Sequence, residues 1–293
     1  MGGSAGSGSG AGGGQGADPS GRGGARVLLT NDDGIHAPGI VALHDALHAP
    51  GSMPDGGPIA RSMLVVAPLT VQSATGHGVT FRQPLITRDV QASATMHGVA
   101  VDGRPADCVK LALSELWGGR MGDARPGLVV SGMNMGANVG INVLYSGTVA
   151  AALEAAFLGV PAIAVSLHHG AGTPRYDVAA RHACAVIARL LGRGPLRPHQ
   201  CVSINIPVTE HDGPVPPVSV CPVNTHGVVD RFTRNVNPLG ETYYWSAGTP
   251  LEFHATEAGS DVQELFARRV TVTPLQYDLT DHGGMGALRG LLQ

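Results

Sequence analysis

The sequence predicts an α/β fold, with a mainly parallel sheet between helices and an extended arm towards the C-terminus. Three observations predict it. Short apolar runs alternate with longer segments of helical periodicity, as in βαβ units. Prolines and glycines mark the ends of those helical segments. The 293 residues are 43% hydrophobic but only 4% aromatic, which indicates a core of aliphatic side chains.

The predicted strands are nearly continuous apolar runs, which is typical of parallel strands covered on both faces. They are Arg26–Thr30, Met63–Ala67, Gly127–Ser131, Ala162–Ser166 and Val270–Leu275. The predicted helices are Pro38–Leu47, Pro105–Leu116, Thr148–Leu158 and Asp177–Leu191. In the last helix Asp177 is the expected N-cap and Gly192 the stop. A Pro-interrupted segment contains one more predicted strand, Thr242–Trp245, and a short helix is expected after Leu275.

The chain divides into a tail and one domain. Residues 1–24 are rich in glycine and are expected to be disordered, because they cannot bury enough surface to offset the entropy of ordering. A phosphate-binding glycine loop is the alternative, but such loops follow a strand, and no strand is predicted before these glycines. Residues 25–293 form the predicted α/β domain, with the arm at about 222–259.

Composition excludes several classes of protein. Charged residues make up 14% of the chain and the formal net charge is −3, so duplex nucleic acid is not an expected partner. No apolar run approaches the roughly 20 residues that span a bilayer. The four cysteines show no C-x-x-C spacing, which favours reduced thiols and a cytoplasmic location.

Two adjacent carboxylates, Asp32 and Asp33, follow the first predicted strand. In an open parallel sheet ligands bind beyond the carboxyl ends of the strands, so this is where a site is expected. A simple turn is the alternative, because Asn, Asp and Gly are common turn residues. Neighbouring carboxylates repel each other, however, and become favourable beside a hard divalent cation.

Further oxygen and amide groups follow two other strands. Ser73 lies in a small hydroxyl-rich loop after the second strand and could give its hydroxyl to a cation or to substrate. Asn134 and Asn138 lie in a glycine-rich segment after the third strand and add amide contacts. Ordinary loop formation would also explain the serine.

Ser146, Gly147 and Thr148 open the third predicted helix. Backbone N–H groups at a helix N-terminus bind anions readily, so these residues are candidates for binding a phosphate group. Capping alone would explain a Ser or Thr here, but it would not explain the Asn and Gly residues that come before.

Two histidine pairs offer weaker candidates. His44 and His48 resemble the H-E-x-x-H zinc motif, but Asp45 replaces the Glu and no third ligand is evident, so an amphipathic helix is the preferred interpretation. His168 and His169 follow the fourth strand and could line the crevice.

Taken together, these segments resemble the SurE family of metal-dependent nucleotidases. The resemblance extends from Arg26 to about Asp281, and its segments are Arg26–Gly39, Gln72–His77, Gly103–Val109, Ser131–Asn138, Tyr145–Val149 and Thr273–Leu275. One departure lies after Val65–Pro68, where Leu69, Thr70 and Val71 replace the Asp and basic residues usual in the family.

The resemblance implies a Rossmann-like three-layer core and one divalent cation per subunit, Mg²⁺ or Mn²⁺. It also implies a homodimer or homotetramer in which the arm is exchanged between subunits. It assigns metal ligation to Asp32, Asp33, Ser73 and Asn134, and phosphate contacts to Ser146, Gly147 and Thr148. From the residues themselves we add Asn138 to the candidates for substrate binding and assign catalysis to Asp32 and Asp33. The donor set is rich in oxygen, which suits a hard cation better than zinc.

The implied activity is that of a 5'-nucleotidase, the hydrolysis of nucleoside monophosphates to nucleoside and phosphate. We favour attack by a water activated beside the cation, while an Asp acting as general base or covalent nucleophile stays open. A nucleotide-sugar transferase is one alternative, although the segment after Pro207 does not resemble a second nucleotide-binding half. A nucleotide and metal sensor with weak catalysis is the other, and the departure at Leu69 is the feature that favours it.

Overall fold

The central sheet confirms the predicted fold class. The computed structural model describes residues 24–249 and 251–292, and within them one sheet contains nine strands in the order β3-β4-β2-β1-β5-β6-β7-β11-β8. The strands are β1 Ala25–Thr30, β2 Ala60–Pro68, β3 Thr87–Gln91, β4 His97–Val101, β5 Leu128–Met135, β6 Ala162–Leu167, β7 Cys201–Ile206, β8 Val218–Val220 and β11 Val270–Leu275. Pairing is parallel except between β3 and β4 and between β7 and β11.

Helices cover both faces of the sheet. They are α1 Pro38–His48, α2 Pro105–Leu111, α3 Trp117–Met121, α4 Gly147–Phe157, α5 Tyr176–Leu191, α6 Asp261–Phe266 and α7 Met285–Leu292. A π-helical turn, Ala112–Leu116, joins α2 to α3, and a 3₁₀ turn, Gly140–Leu144, precedes α4. None of the helices among the described residues is long and apolar enough to cross a membrane.

The apolar runs of the strands are divided between two cores. Val27 and Leu29 of β1 pack with α1 and α5 on one face of the sheet. Leu28, between them, packs with α2 and α4 on the other face. Successive side chains of a strand point in opposite directions, so a strand covered on both faces needs apolar residues at every position.

Two predicted helix boundaries are wrong. The helix that begins at Pro105 does not stop before Gly118 but continues through α3 to Met121. The buried Trp117 anchors this last turn, because its indole N–H donates to Ala124 O over 2.8 Å. Asp177 is not the N-cap of α5, because its carboxylate accepts two hydrogen bonds of 2.8 Å from the guanidinium group of Arg175.

Strands β3, β4, β7 and β8, and a further strand at Phe232–Val236, were not predicted from the sequence. The first of these is largely exposed and has no apolar alternation. Strand β7 is buried, but Ser203 and Asn205 interrupt its apolar pattern. Nδ2 of Asn205 donates to Ser203 Oγ in the same strand and to Asn138 O, and only the tertiary structure provides the second of these partners.

Outside the main sheet, an antiparallel hairpin occupies the predicted arm. Its strands are β9 Phe232–Val236 and β10 Thr242–Ser246, which matches the predicted strand at Thr242–Trp245. The side chains of Phe232, Tyr244 and Trp245 are exposed.

The four cysteines all lie in the described part of the chain, and each is a buried free thiol, as predicted. The predicted disordered tail, residues 1–24, lies outside the described residues except for its last residue.

A substitution at Gly39 tests the contact between helix α1 and strand β5. A Cβ at this position would overlap the carbonyl oxygen of Met133, so Gly39→Ala should lower the free energy of unfolding by about 1–3 kcal/mol. Gly118→Ala is the matched control: nothing lies within 4 Å of its Cβ position, and alanine should stabilise α3 by about 0.5–1 kcal/mol. Urea unfolding of both variants is the measurement, and an unchanged midpoint for Gly39→Ala would contradict this packing.

Candidate active site

The candidate site lies where strands β1 and β5 end side by side. The two strands are parallel neighbours, and Thr30 pairs with Ser131. The residues that follow each strand therefore meet at the same edge of the sheet. This places Asp32 and Asp33 beside the segment that carries Asn134.

Asp32 faces the N-terminus of helix α4. Its carboxylate, 5% exposed, accepts hydrogen bonds from the hydroxyl and the backbone N–H of Thr148. A Cβ at Gly147 would lie 2.9 Å from Asp32 Cβ and 3.0 Å from its Oδ2, so only glycine lets the helix come this close. Burial raises the pKa of Asp32 to about 6, and the charge of Asp33 adds to this effect.

Whereas Asp32 is held by helix α4, Asp33 is held by strand β5. Its Oδ2 accepts a hydrogen bond of 2.7 Å from the backbone N–H of Met135. Burial raises the pKa of Asp33 above its usual range, while the hydrogen bond from Met135 and the nearby His169 act in the opposite direction. Both neighbouring carboxylates therefore lie where negative charge is poorly compensated.

Tyr176, the first residue of α5, is part of the surroundings of Asp33 and was not predicted from the sequence. Its hydroxyl lies 3.3 Å from Nε2 of His169, and burial together with the charge of Asp33 raises its pKa. Of the two histidines considered for the crevice, His169 thus lies near Asp33, whereas His168 contacts the ring of Phe266. The position of His169 after strand β6 indicated that it could line the crevice, but no motif indicated Tyr176.

The loop with Ser73 reaches the same edge from strand β2. The backbone N–H of Gln72 donates to the carbonyl oxygen of Asp32 over 2.8 Å, and that of Gly76 donates to Tyr145 O over 3.0 Å. Leu69, where the chain departs from the family pattern, packs its side chain against the core. The loop therefore contacts the carboxylate segment despite this departure.

The two asparagines after β5 are oriented differently. Nδ2 of Asn134 donates to Gly136 O over 2.7 Å, which leaves its Oδ1 for a ligand. Nδ2 of Asn138 donates to Ser166 Oγ over 2.8 Å, and its backbone N–H donates to Asn205 Oδ1. Asn138 thus ties the glycine-rich segment to strands β6 and β7.

The residues present fit a hard divalent cation. The buried Oδ1 of Asn31, directly before the carboxylates, has no hydrogen-bond partner among the described residues. No group of three or more His, Cys, Asp or Glu in residues 24–249 and 251–292 is arranged to hold a metal. A cation here would need hydroxyl and amide oxygens in addition to the two carboxylates, and such a donor set favours Mg²⁺ or Mn²⁺ over zinc.

The start of α4 is the candidate anion-binding element. Ser146 is the N-cap, and its Oγ accepts a hydrogen bond of 3.1 Å from the backbone N–H of Val149. Capping therefore accounts for the serine side chain. The positive end of the helix still points towards Asp32 and the neighbouring loop, as phosphate binding requires.

The pair that resembles a zinc motif does not form a metal centre. The rings of His44 and His48 are in edge contact, with centroids 4.9 Å apart. Nδ1 of His44 lies 2.9 Å from Asp45 Oδ1, and Nδ1 of His48 lies 3.1 Å from Ala60 O. His44 therefore contacts its own helix, and His48 contacts strand β2. Both contacts agree with the preferred interpretation of an amphipathic helix.

Comparison with known proteins supplies an independent line of evidence. The family model described as Survival protein SurE matches residues 27–228. The 5'-nucleotidase SurE 1 of Thermus thermophilus is 42% identical over 270 residues, which cover 92% of this chain and 98% of that protein. The 5'-nucleotidase SurE of Heliobacterium modesticaldum is also 42% identical, over 88% of each chain.

A solved structure agrees with the sequence relatives. The crystal structure of SurE protein from Aquifex aeolicus superposes with a TM-score of 0.72 at 32% identity, covering 92% of this chain and all of that one. The family model, the relatives and the fold agree, and the chain therefore belongs to the SurE family.

Proposed function

We propose that this protein is a metal-dependent 5'-nucleotidase, a phosphomonoesterase that hydrolyses nucleoside monophosphates to nucleoside and phosphate. The observation that carries the proposal is the contact of Asp32, one of two adjacent carboxylates, with the N-terminus of α4. One site thus combines oxygen ligands for a cation with N–H donors for a phosphate. The relatives that carry the name 5'-nucleotidase support the same activity.

Four side chains would hold the cation: Asp32, Asp33, Ser73 and Asn134. A bound Mg²⁺ or Mn²⁺ supplies Lewis-acid chemistry, neutralising phosphate charge and increasing the acidity of water. The two carboxylates are oriented by Thr148 and Met135, so they do not need to reorganise when a ligand arrives.

The phosphate is bound by Ser146, Gly147 and Thr148, with Asn138 supporting the glycine-rich segment on the other side. The N–H groups of Thr148 and Val149 donate to Asp32 and to Ser146 Oγ, so a phosphate oxygen would accept from the N–H of Gly147 or replace Asp32 as the partner of Thr148. For the nucleobase, Tyr145 is next to this turn and exposed, and Tyr243 lies on the arm hairpin. Stacking on such rings tolerates any base, so we infer a modest base preference.

We infer assembly as a homodimer or homotetramer in which the arm, about 222–259, crosses to a neighbouring subunit. The exposed aromatic side chains of the β9–β10 hairpin support this proposal, since apolar groups of this size favour burial at an interface. The four buried thiols suit a cytoplasmic location.

Asp32→Asn and Asp33→Asn should each reduce phosphatase activity by orders of magnitude while the fold is retained. A neutral amide binds a divalent cation weakly and cannot act as a base or nucleophile. Initial rates at saturating Mn²⁺, with circular dichroism as the folding control, test this. Near wild-type turnover in either variant would show that the carboxylate is not essential.

The raised pKa of Asp32 predicts the pH dependence of stability in EDTA. An acid with a folded pKa of about 6 and an unfolded value of 3.8 binds its proton more tightly when folded, so its contribution to stability falls as pH rises from about 4 to 6. Asp32→Asn should therefore exceed wild type in free energy of unfolding at pH 7.5 by on the order of 1–3 kcal/mol, and the difference should vanish near pH 4. Thermal melts across this range are the measurement; a constant difference would contradict the assigned burial effect.

The substrate proposal predicts activity on several nucleoside monophosphates, dependent on Mn²⁺ or Mg²⁺ and abolished by EDTA. The check is a panel of purine and pyrimidine monophosphates with sugar phosphates as controls, before and after chelation. Rates that survive EDTA would exclude the metal from the reaction. Equal rates on sugar phosphates would exclude nucleotides as the preferred class, and nucleotide binding without turnover would favour the sensor alternative.

A further inference from the structure

The loop that carries Ser73 has little support from its own residues. Ser73 and Ala74 are exposed, and Ala74 adopts a φ of 54°, which L-residues with a side chain seldom adopt. Within the loop, Thr75 Oγ1 donates to Gln72 O over 3.0 Å. The position of the Ser73 hydroxyl therefore depends on the contacts that hold the ends of the loop.

The far end of the loop is held by a buried carboxylate of helix α4. Nε2 of His77 donates to Oε2 of Glu154 over 2.8 Å, and Glu154 is only 5% exposed. The imidazole ring also stacks flat on Phe157, with centroids 5.1 Å apart and planes 4° from parallel. A hydrogen bond and a stacked ring together restrict both the position and the orientation of His77.

Glu154 and the phosphate-binding turn belong to the same rigid element. Glu154 lies seven residues after Gly147, so both are on one face of α4, about 10 Å apart along the axis. Gly147 contacts Asp32, and Glu154 holds the loop of Ser73. Helix α4 therefore fixes the far end of the loop relative to the carboxylate pair, while the hydrogen bond from Gln72 N–H to Asp32 O holds the near end.

The carboxylate of Glu154 has a second partner that does not belong to the loop. Nζ of Lys110, on α2, lies 3.2 Å from Oε1. Burial alone would raise the pKa of Glu154, but the hydrogen bonds from His77 and Lys110 outweigh it and hold the pKa below its usual range. The two partners of one carboxylate can thus be removed separately, and only one of them touches the loop.

We propose that His77 and Glu154 form a clamp that positions Ser73 for divalent cation binding, with both acting as positioning residues. The proposal rests on the metal site proposed above. Groups that orient a metal ligand commonly change metal affinity by about 10–100-fold when they are removed. In this protein the clamp orients the whole loop that carries Ser73, and the imidazole of His77 is its contact with that loop.

The test is the dissociation constant of Mn²⁺, measured on the full chain by electron paramagnetic resonance of the free ion, together with steady-state kinetics. His77→Phe keeps a ring to stack on Phe157 but removes the donor to Glu154. We expect it to weaken Mn²⁺ binding about tenfold, while kcat at saturating Mn²⁺ stays within about twofold of wild type. The double variant His77→Phe/Glu154→Gln removes the buried charge as well and should show the same loss, which guards against simple misfolding.

Lys110→Met is the matched control, because it removes the other partner of the same carboxylate. It should lower the melting temperature but leave Mn²⁺ affinity within about twofold of wild type. Ser73→Ala should weaken binding, and adding His77→Phe to Ser73→Ala should weaken it no further, since the clamp acts through Ser73.

The results of these experiments distinguish a failure of the proposed clamp from a failure of the proposed metal site. Wild-type Mn²⁺ affinity in His77→Phe, equal losses in His77→Phe and Lys110→Met, or a full additional loss in the Ser73→Ala background would each overturn the clamp. Undiminished Mn²⁺ binding by Asp32→Asn would overturn the proposed metal site and the clamp with it. Loss of binding in Asp32→Asn without any effect of His77→Phe would overturn the clamp alone.

Discussion

The approach of helix α4 to the buried carboxylate of Asp32 is the constraint on which the rest of the site depends. A helix N-terminus stabilises a nearby negative charge by about 0.3–2 kcal/mol. The pKa of Asp32 nevertheless rises to about 6, and a shift of about two units corresponds to roughly 3 kcal/mol in favour of the neutral form. Burial and the adjacent Asp33 therefore outweigh the helix, and the carboxylate pair favours a bound cation.

The order of the strands makes this approach possible. Strand β1 lies in the middle of the sheet between β2 and β5, so the segments that follow these strands converge at one edge. Two contacts then orient the segments relative to one another: Met135 donates to Asp33, and Gln72 donates to the carbonyl oxygen of Asp32. The site is built from backbone N–H groups as much as from side chains.

Another buried carboxylate connects the arm with the glycine-rich segment. Asp261, at the start of α6, accepts hydrogen bonds of 2.8–2.9 Å from the backbone N–H groups of Gly140, Asn224 and Val262. Asn224 lies at the base of the arm, and Gly140 leads through a short turn to Ser146. The arm is thus fixed to the same segment that leads into the first turn of α4.

By itself the sequence determined the fold class and located the strand ends and the helix start where the candidate residues lie. Local signals were sufficient: apolar runs such as Arg26–Thr30 predict buried strands, and Asp32 or Ser146 could be located because each follows a strand or opens a helix. Only the tertiary structure decided which distant residues support that site. The donor His77 and the acceptor Glu154 are 77 positions apart, and Tyr176 comes beside Asp33 from another helix. Such pairs leave no periodic pattern, because they depend on how the elements pack and not on spacing along the chain.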